Sequence, residues 1–220
     1  MQVSYGQSWP DSIEIRAELQ TPLSTIDIIE ESVARLIRFC KRFSAFRQLT
    51  HNDQIILLKG SVVQFCALRC ALYFDEVSDV IRFEPVDQCI QPEIPLRLLY
   101  TGPADLKEKF LEFRAGFDAR LADYQRVFVL MRSLTIFSPA LKGLRQPIAV
   151  KKANDCYFYV LKRYLQVNYA EERGMFDHVL GRLHCLRVFS SEFYYCFSVD
   201  IPPLMRHRQL LQEIFELPAL

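Results

Sequence analysis

Glycine is scarce in this sequence, seven residues in 220, and the seven never cluster. That removes the P-loop, the G-x-G-x-x-G turn and the G-x-S-x-G elbow, because each needs close backbone approach at fixed glycine spacings. The seven cysteines (Cys40, Cys66, Cys70, Cys89, Cys156, Cys185 and Cys196) are odd in number and contain no C-x-x-C. A disulfide framework is therefore excluded, and thiols in a reducing compartment are expected. Four histidines form no H-E-x-x-H and no His/Cys cluster, so no metal site is expected. His184 and Cys185 are adjacent, but neighbours on a helix point about 100° apart, which is poor geometry for a catalytic dyad. An excess of charge is missing as well. Twenty-seven Lys and Arg against 26 Asp and Glu leave +1, far from the basic field of a nucleic-acid-binding domain. Residues 1–11 lack the basic and apolar regions of a secretory signal, so an intracellular setting is expected. No enzyme motif and no cofactor motif remains.

What is present is apolar and helical in rhythm. Half the residues are hydrophobic, and a chain of this length buries about 70% of its unfolded surface, enough for a core without staples. Prolines fall mostly between long periodic stretches, and no repeat or linker interrupts them, so one all-α domain over residues 1–220 is expected. Helices are predicted over 25–43, 50–74, 106–121, 124–137, 148–169 and 175–199. A short amphipathic one follows at 209–217, and at most a small hairpin lies near 80–83. The tract from Ile55 to Phe74 is long enough for a bilayer, but Lys59, Gly60, Gln64 and Arg69 interrupt it, so it reads as a central core helix and no membrane is expected.

Arg69 stands out because it is the only charge between Gly60 and Phe74. A guanidinium carries five donors, and leaving them unmet in an apolar interior costs several kcal/mol. It is either a satisfied internal arginine or the anchor for the polar end of an apolar ligand. Arg35, at the edge of the first helix's apolar arc, can converge on the same space.

The stretch from Phe39 to Asp75, FCKRFSAFRQLTHNDQIILLKGSVVQFCALRCALYFD, resembles the signature of nuclear-receptor ligand-binding domains. There an F-A-K-x-x-x-x-F segment runs into D-Q-x-x-L-L-K. Leu210 to Phe215, LLQEIF, is similar to that family's activation helix. In pattern the chain looks most like the thyroid-hormone, retinoic-acid and retinoid-related orphan branch. The resemblance implies a three-layer antiparallel helical sandwich, a lipophilic ligand, L-x-x-L-L coactivators, a nuclear location, and a DNA module outside these residues. It assigns the ligand to Ile28, Ser32, Arg35, Cys66, Arg69, Tyr73 and Phe193. Tyr73 replaces an arginine, and Phe193 a histidine, of the thyroid type; both changes argue against thyroid hormone itself. The coactivator groove falls to Val33, Ile37, Lys41, Ile55, Lys59, Leu210, Leu211, Glu213 and Ile214. Lys41 and Glu213 would clamp the two ends of a bound helix, anion at its N-terminal amides and cation at its C-terminal carbonyls. Arg187 and Leu183 are the dimer candidates, for the retinoid X receptor or a second copy, although Gln64 stands where that interaction class has a glutamate. The alternative is an orphan domain whose late aromatics, Phe189, Phe193, Tyr194, Tyr195 and Phe197, fill the pocket and leave a constitutive docking module.

Overall fold

A computed structural model describes residues 2–3, 25–83, 91–96, 104–117, 124–171, 174–199 and 208–216. Eight helices are found among them: α1 (Thr25–Lys41), α2 (Ser44–Arg47), α3 (His51–Tyr73), α4 (Ala104–Ala115), α5 (Tyr124–Ile136), α6 (Pro147–Asn168), α7 (Met175–Val199) and α8 (Gln209–Phe215). The strands are short: β1 (Gln2–Val3), β2 (Phe74–Asp75), β3 (Val80–Arg82) and β4 (Gln91–Pro95). β2, β3 and β4 form an antiparallel meander, and β1 lies parallel to β4, giving the order β1-β4-β3-β2. This is the mainly helical sandwich expected, with a somewhat larger sheet. Arg82 fastens the meander by pairing with both Asp75 and Glu93.

α3 is central because it is apolar on all sides. α5 and α7 pack against it, α1 covers it from one side, and α4 lies beyond on α7. By length and composition α3 could cross a membrane, yet most of its apolar surface is buried within the fold. Its start is tied down by the D-Q pair. Thr50 caps it by accepting from the Asp53 amide at 3.3 Å. Asp53 is fully buried and accepts the amides of Arg145 and Gln146 at 2.7 and 2.8 Å, fixing the approach to α6. Gln54 Nε2 donates to the carbonyls of Phe46 and Leu49, which locks α2 against α3. Burial alone would raise the Asp53 pKa, but those amides with the Thr50 and Asn52 side chains outweigh it and hold the carboxyl below its usual range.

α1 stops two residues before the predicted end. Phe43 is extended as the N-cap of α2, and Arg47 NH1 caps the Lys41 carbonyl at 2.7 Å. α4 ends at Ala115, where the turn at Gly116 lets Phe117 pack on Phe113 and Phe128. Leu121 lies outside the described residues, as does Leu217 beyond the end of α8.

Two apolar clusters result. One joins the C-terminal half of α3 to the meander, α4, α5 and α7. The other joins α1, α2 and the N-terminal half of α3 to the start of α6 and to α8. Phe193 and Tyr157 touch both.

Candidate functional site

Arg69 projects from α3 into the interior with 4% of its surface exposed. NH1 donates to Ser32 Oγ on α1 at 2.6 Å, and Ser32 Oγ donates to the Ile28 carbonyl at 2.8 Å. That relay explains a serine on the buried face of α1. The guanidinium carbon sits 4.4 Å from the Phe83 ring centroid, a cation–π contact made by the end of β3. Nε meets no acceptor among the described residues. Burial lowers the Arg69 pKa from its ordinary value, and the neighbouring charge of Arg35 adds to the effect. The cation therefore has fewer protein acceptors than donors, in a place where each shortfall is expensive.

Of the other predicted ligand residues, Ile28 and Ser32 are buried, and Arg35, Cys66, Tyr73 and Phe193 are half-buried. Arg35 Nε pairs with Glu31 Oε1 at 2.8 Å, an oxygen that Arg38 NH2 shares at 2.7 Å. Burial pushes the Cys66 thiol up to about 11, against the pull of Arg69 and Arg132. Phe193 stands 6.2 Å from Phe189, which is buried against Phe110. The side chains of Tyr194, Tyr195 and Phe197 lie outside the described residues.

Sequence reasoning passed over Arg132 on α5. It is the only charge between Val127 and Phe137, the same signal that singled out Arg69. Its guanidinium lies 4.9 Å from the Phe65 ring centroid, and its Nε and NH2 are buried without a hydrogen-bond partner among the described residues.

α8 lies on α1 and α3 with Leu211 and Ile214 buried in the same cluster as Val33, and with Leu210 and Phe215 packed around it. Val33 is thus core, not an exposed groove wall, because α8 and α3 enclose that stretch of α1. Ile37 is half-buried, Ile55 is 37% exposed, and Lys41 and Glu213 are exposed. Glu213 Oε1 accepts from Gln209 Nε2 at 3.1 Å. Ion pairs hold both ends of α8. Arg208, its N-cap, reaches Asp27 at 2.6 Å and Glu30 at 3.1 Å on α1, and Lys59 of α3 reaches Glu216 at 3.0 Å just past its end. Glu216 adopts a left-handed conformation, φ 54°, which turns the chain back at that point. Neither Arg208 nor Glu216 was foreseen, since a charge beside an amphipathic helix looks like solvated surface.

On α7, Arg187 is exposed, whereas Leu183 is buried in the first cluster. Leu183 fills the core and is not itself presented to a partner. Exposed apolar side chains on these two helices include Ile148, Tyr159 and Val167 of α6 and Val188 of α7.

Residues 18–94 match a protein-family model described as the ligand-binding domain of nuclear hormone receptor. The Drosophila melanogaster nuclear hormone receptor HR96 is 23% identical over 197 residues, 89% of this chain and 27% of that protein. Vitamin D3 receptor A of Danio rerio is 26% identical over 216 residues, 94% of this chain and 46% of that protein. Nuclear receptor subfamily 1 group I member 3 of Pusa sibirica is 28% identical over 214 residues, 89% of this chain and 57% of that protein. The chain spans from about a quarter to somewhat over half the length of these relatives. They lend no support to the thyroid, retinoic-acid and retinoid-orphan branch.

Proposed function

We propose that the chain is a nuclear hormone receptor ligand-binding domain and that it binds a lipophilic small molecule with an acidic or polar head. That head seats on Arg69 and Ser32, near Arg35, and Ile28, Cys66, Tyr73 and Phe193 surround the apolar body. The observation that carries this reading is the buried Arg69, whose Nε has no acceptor among the described residues. An anionic or acceptor-rich head supplies what the fold withholds, and the desolvated site makes the resulting charge-assisted bonds strong. The chemistry is binding, not catalysis.

The output is a docked α8. Ligand that favours this position shifts the population toward it, and an amphipathic L-x-x-L-L helix then lies across Ile37, Ile55, Lys59 and Leu210. Glu213 meets its first amides and Lys41 its last carbonyls. The parent protein acts in the nucleus through a DNA module outside this chain. Its partner is the retinoid X receptor or a second copy, met through the exposed side of α7 at Arg187.

A second reading has its own support. The ion pairs of Arg208 and Lys59 hold α8 through contacts internal to the protein, so docking can also be independent of ligand. Fluorescence anisotropy of a coactivator L-x-x-L-L peptide, before and after gentle delipidation and with native mass spectrometry of both samples, separates the two. Loss of a bound mass together with weakened peptide binding supports the ligand-gated domain. Equal affinity with no bound mass identifies the constitutive module.

A further inference from the structure

The turn from α1 into α2 carries a run of cations that the fold does not balance. No carboxylate occurs between Glu31 and Asp53, whereas Arg35, Arg38, Lys41, Arg42 and Arg47 all do. Arg35 and Arg38 share Glu31. Lys41, Arg42 and Arg47 are exposed and form no ion pair among the described residues. Ser44 follows directly, in the order Lys41-Arg42-Phe43-Ser44. Its side chain is exposed, and its hydroxyl makes no hydrogen bond among the described residues.

Bases two and three positions before a hydroxyl are what a basophilic protein kinase reads, because carboxylates in its peptide groove pair with them. Other serines and threonines of the described residues have a base at one of these positions: Thr50, Ser61, Thr135 and Ser190. Ser61, Thr135 and Ser190 are buried, and Thr50 Oγ1 is engaged by the Asp53 amide. Among the described residues, Ser44 alone combines both bases with an exposed side chain. A kinase takes its substrate extended, so α2 must open. Phe43 is already extended, and α2 is a single turn without a side-chain cap, held by buried Phe46 and by Gln54 Nε2. Release of so short a helix is a local event that leaves α1 and α3 folded.

We propose that Ser44 is a phosphorylation site for a basophilic protein kinase, and that its phosphate weakens coactivator docking at Lys41. The kinase transfers the γ-phosphoryl group of ATP. The Oγ–P bond forms, the bond from Pγ to the β,γ-bridging oxygen breaks, ADP leaves, and the hydroxyl proton passes to the kinase's base. Ser44 and Arg47 are three residues apart on α2 and share a face, and Arg47 NH1 already reaches the Lys41 carbonyl at 2.7 Å. A phosphate on Ser44 is thus brought beside Arg47 and Lys41, where it competes for both cations. Lys41 is then drawn away from the last carbonyls of an L-x-x-L-L helix, and the phosphate itself repels the negative end of that helix. The inference rests on the clamp role of Lys41 proposed above, and the experiment separates failure of the one from failure of the other.

The purified domain is treated with ATP and the catalytic subunit of cyclic-AMP-dependent protein kinase. Intact mass and peptide mapping locate the phosphate, and anisotropy of a fluorescein-labelled coactivator L-x-x-L-L peptide reads docking. One phosphate is expected, on Ser44, with peptide affinity weaker by roughly fivefold or more. Ser44→Ala should take up no phosphate and bind the peptide like wild type. Lys41→Ala keeps Arg42 ahead of the serine; it should bind the peptide weakly, and phosphate should add no more than about a twofold loss. Absence of phosphate from Ser44, or unchanged peptide affinity after its phosphorylation while Lys41→Ala binds weakly, overturns the inference and leaves the clamp standing. An equal loss on phosphorylation in wild type and Lys41→Ala also overturns it, because the phosphate then acts elsewhere. Undiminished affinity in unphosphorylated Lys41→Ala removes the clamp and the inference together.

Discussion

Replacing Arg69 by methionine should make the ligand-free domain more stable and less able to bind. The substitution keeps an unbranched apolar stem of similar length in the cavity. It removes one charge-assisted hydrogen bond, Arg69 to Ser32 at 2.6 Å, of about 1.5–3 kcal/mol, and the contact over Phe83, of about 2 kcal/mol at most. Ser32 keeps its bond to the Ile28 carbonyl, so no new orphan appears. Against those losses stands release of a cation desolvated to 4% exposure, worth several kcal/mol, and of an unmet Nε, worth about 1–3 kcal/mol. The balance is a gain of about 1–2 kcal/mol, in the direction seen when buried ions give way to apolar residues of like size. At about 2–4 °C per kcal/mol for a domain of this length, Tm should rise by about 2–8 °C. Differential scanning calorimetry of delipidated wild type and variant measures it. In lipid-loaded samples the order should reverse, because ligand binding stabilises only the protein that keeps the anchor. A fall in Tm of several degrees in the delipidated variant would show that the guanidinium is structural and refute the argument.

Lys41→Ala and Glu213→Ala, both at exposed positions, should each weaken L-x-x-L-L peptide binding at least tenfold while moving Tm by no more than about 2 °C; unchanged affinity in both would remove the clamp. Arg208→Ala deletes two exposed ion pairs to α1, each of about 0.2–1 kcal/mol, so peptide affinity should drop about two- to tenfold at low salt. Raising the salt concentration should narrow the difference, and an equal drop at all ionic strengths would speak against an electrostatic latch. Asp53→Asn turns one acceptor into a donor facing an amide of the α6 approach, and should cost about 2–4 kcal/mol near neutral pH by thermal melting. The Asp53 pKa is lowered in the fold. Its stabilisation is therefore complete above the unfolded carboxyl range, near pH 4, and is lost as pH falls through the lower folded value. The gap between wild type and variant should close in acid, and a constant gap down to pH 2 would contradict the assignment.

Periodicity made the helices legible. The apolar stripe of α4, the wide arc of α1 and the unbroken run of α3 each state how many neighbours a helix must have. The boundaries fell within about two residues except the end of α4, expected at 121 and found at Ala115, and the short α2 was not foreseen. Small errors came from contacts outside the helix itself, such as Arg47 reaching back to cap Lys41, which no local pattern encodes. Arg69 was legible for the same reason as α3, since one charge in an apolar run must be explained wherever the run is buried. Arg132 carried the identical signal on α5, but nothing in the chain order says that α5 brings it over the Phe65 ring of α3. The latch of α8 was equally hidden, because Arg208 and Asp27 are 181 residues apart and either alone reads as surface. Leu183 shows the converse: helical spacing put it beside Arg187, and only the packing of α7 turned it inward. Sequence by itself determined which segments are helices, which one is central and which motifs they carry, because those follow from local periodicity and capping. Which charges meet, and which donors are left without a partner, was decided by tertiary packing alone, because pairing depends on distances between elements that the order of residues does not contain.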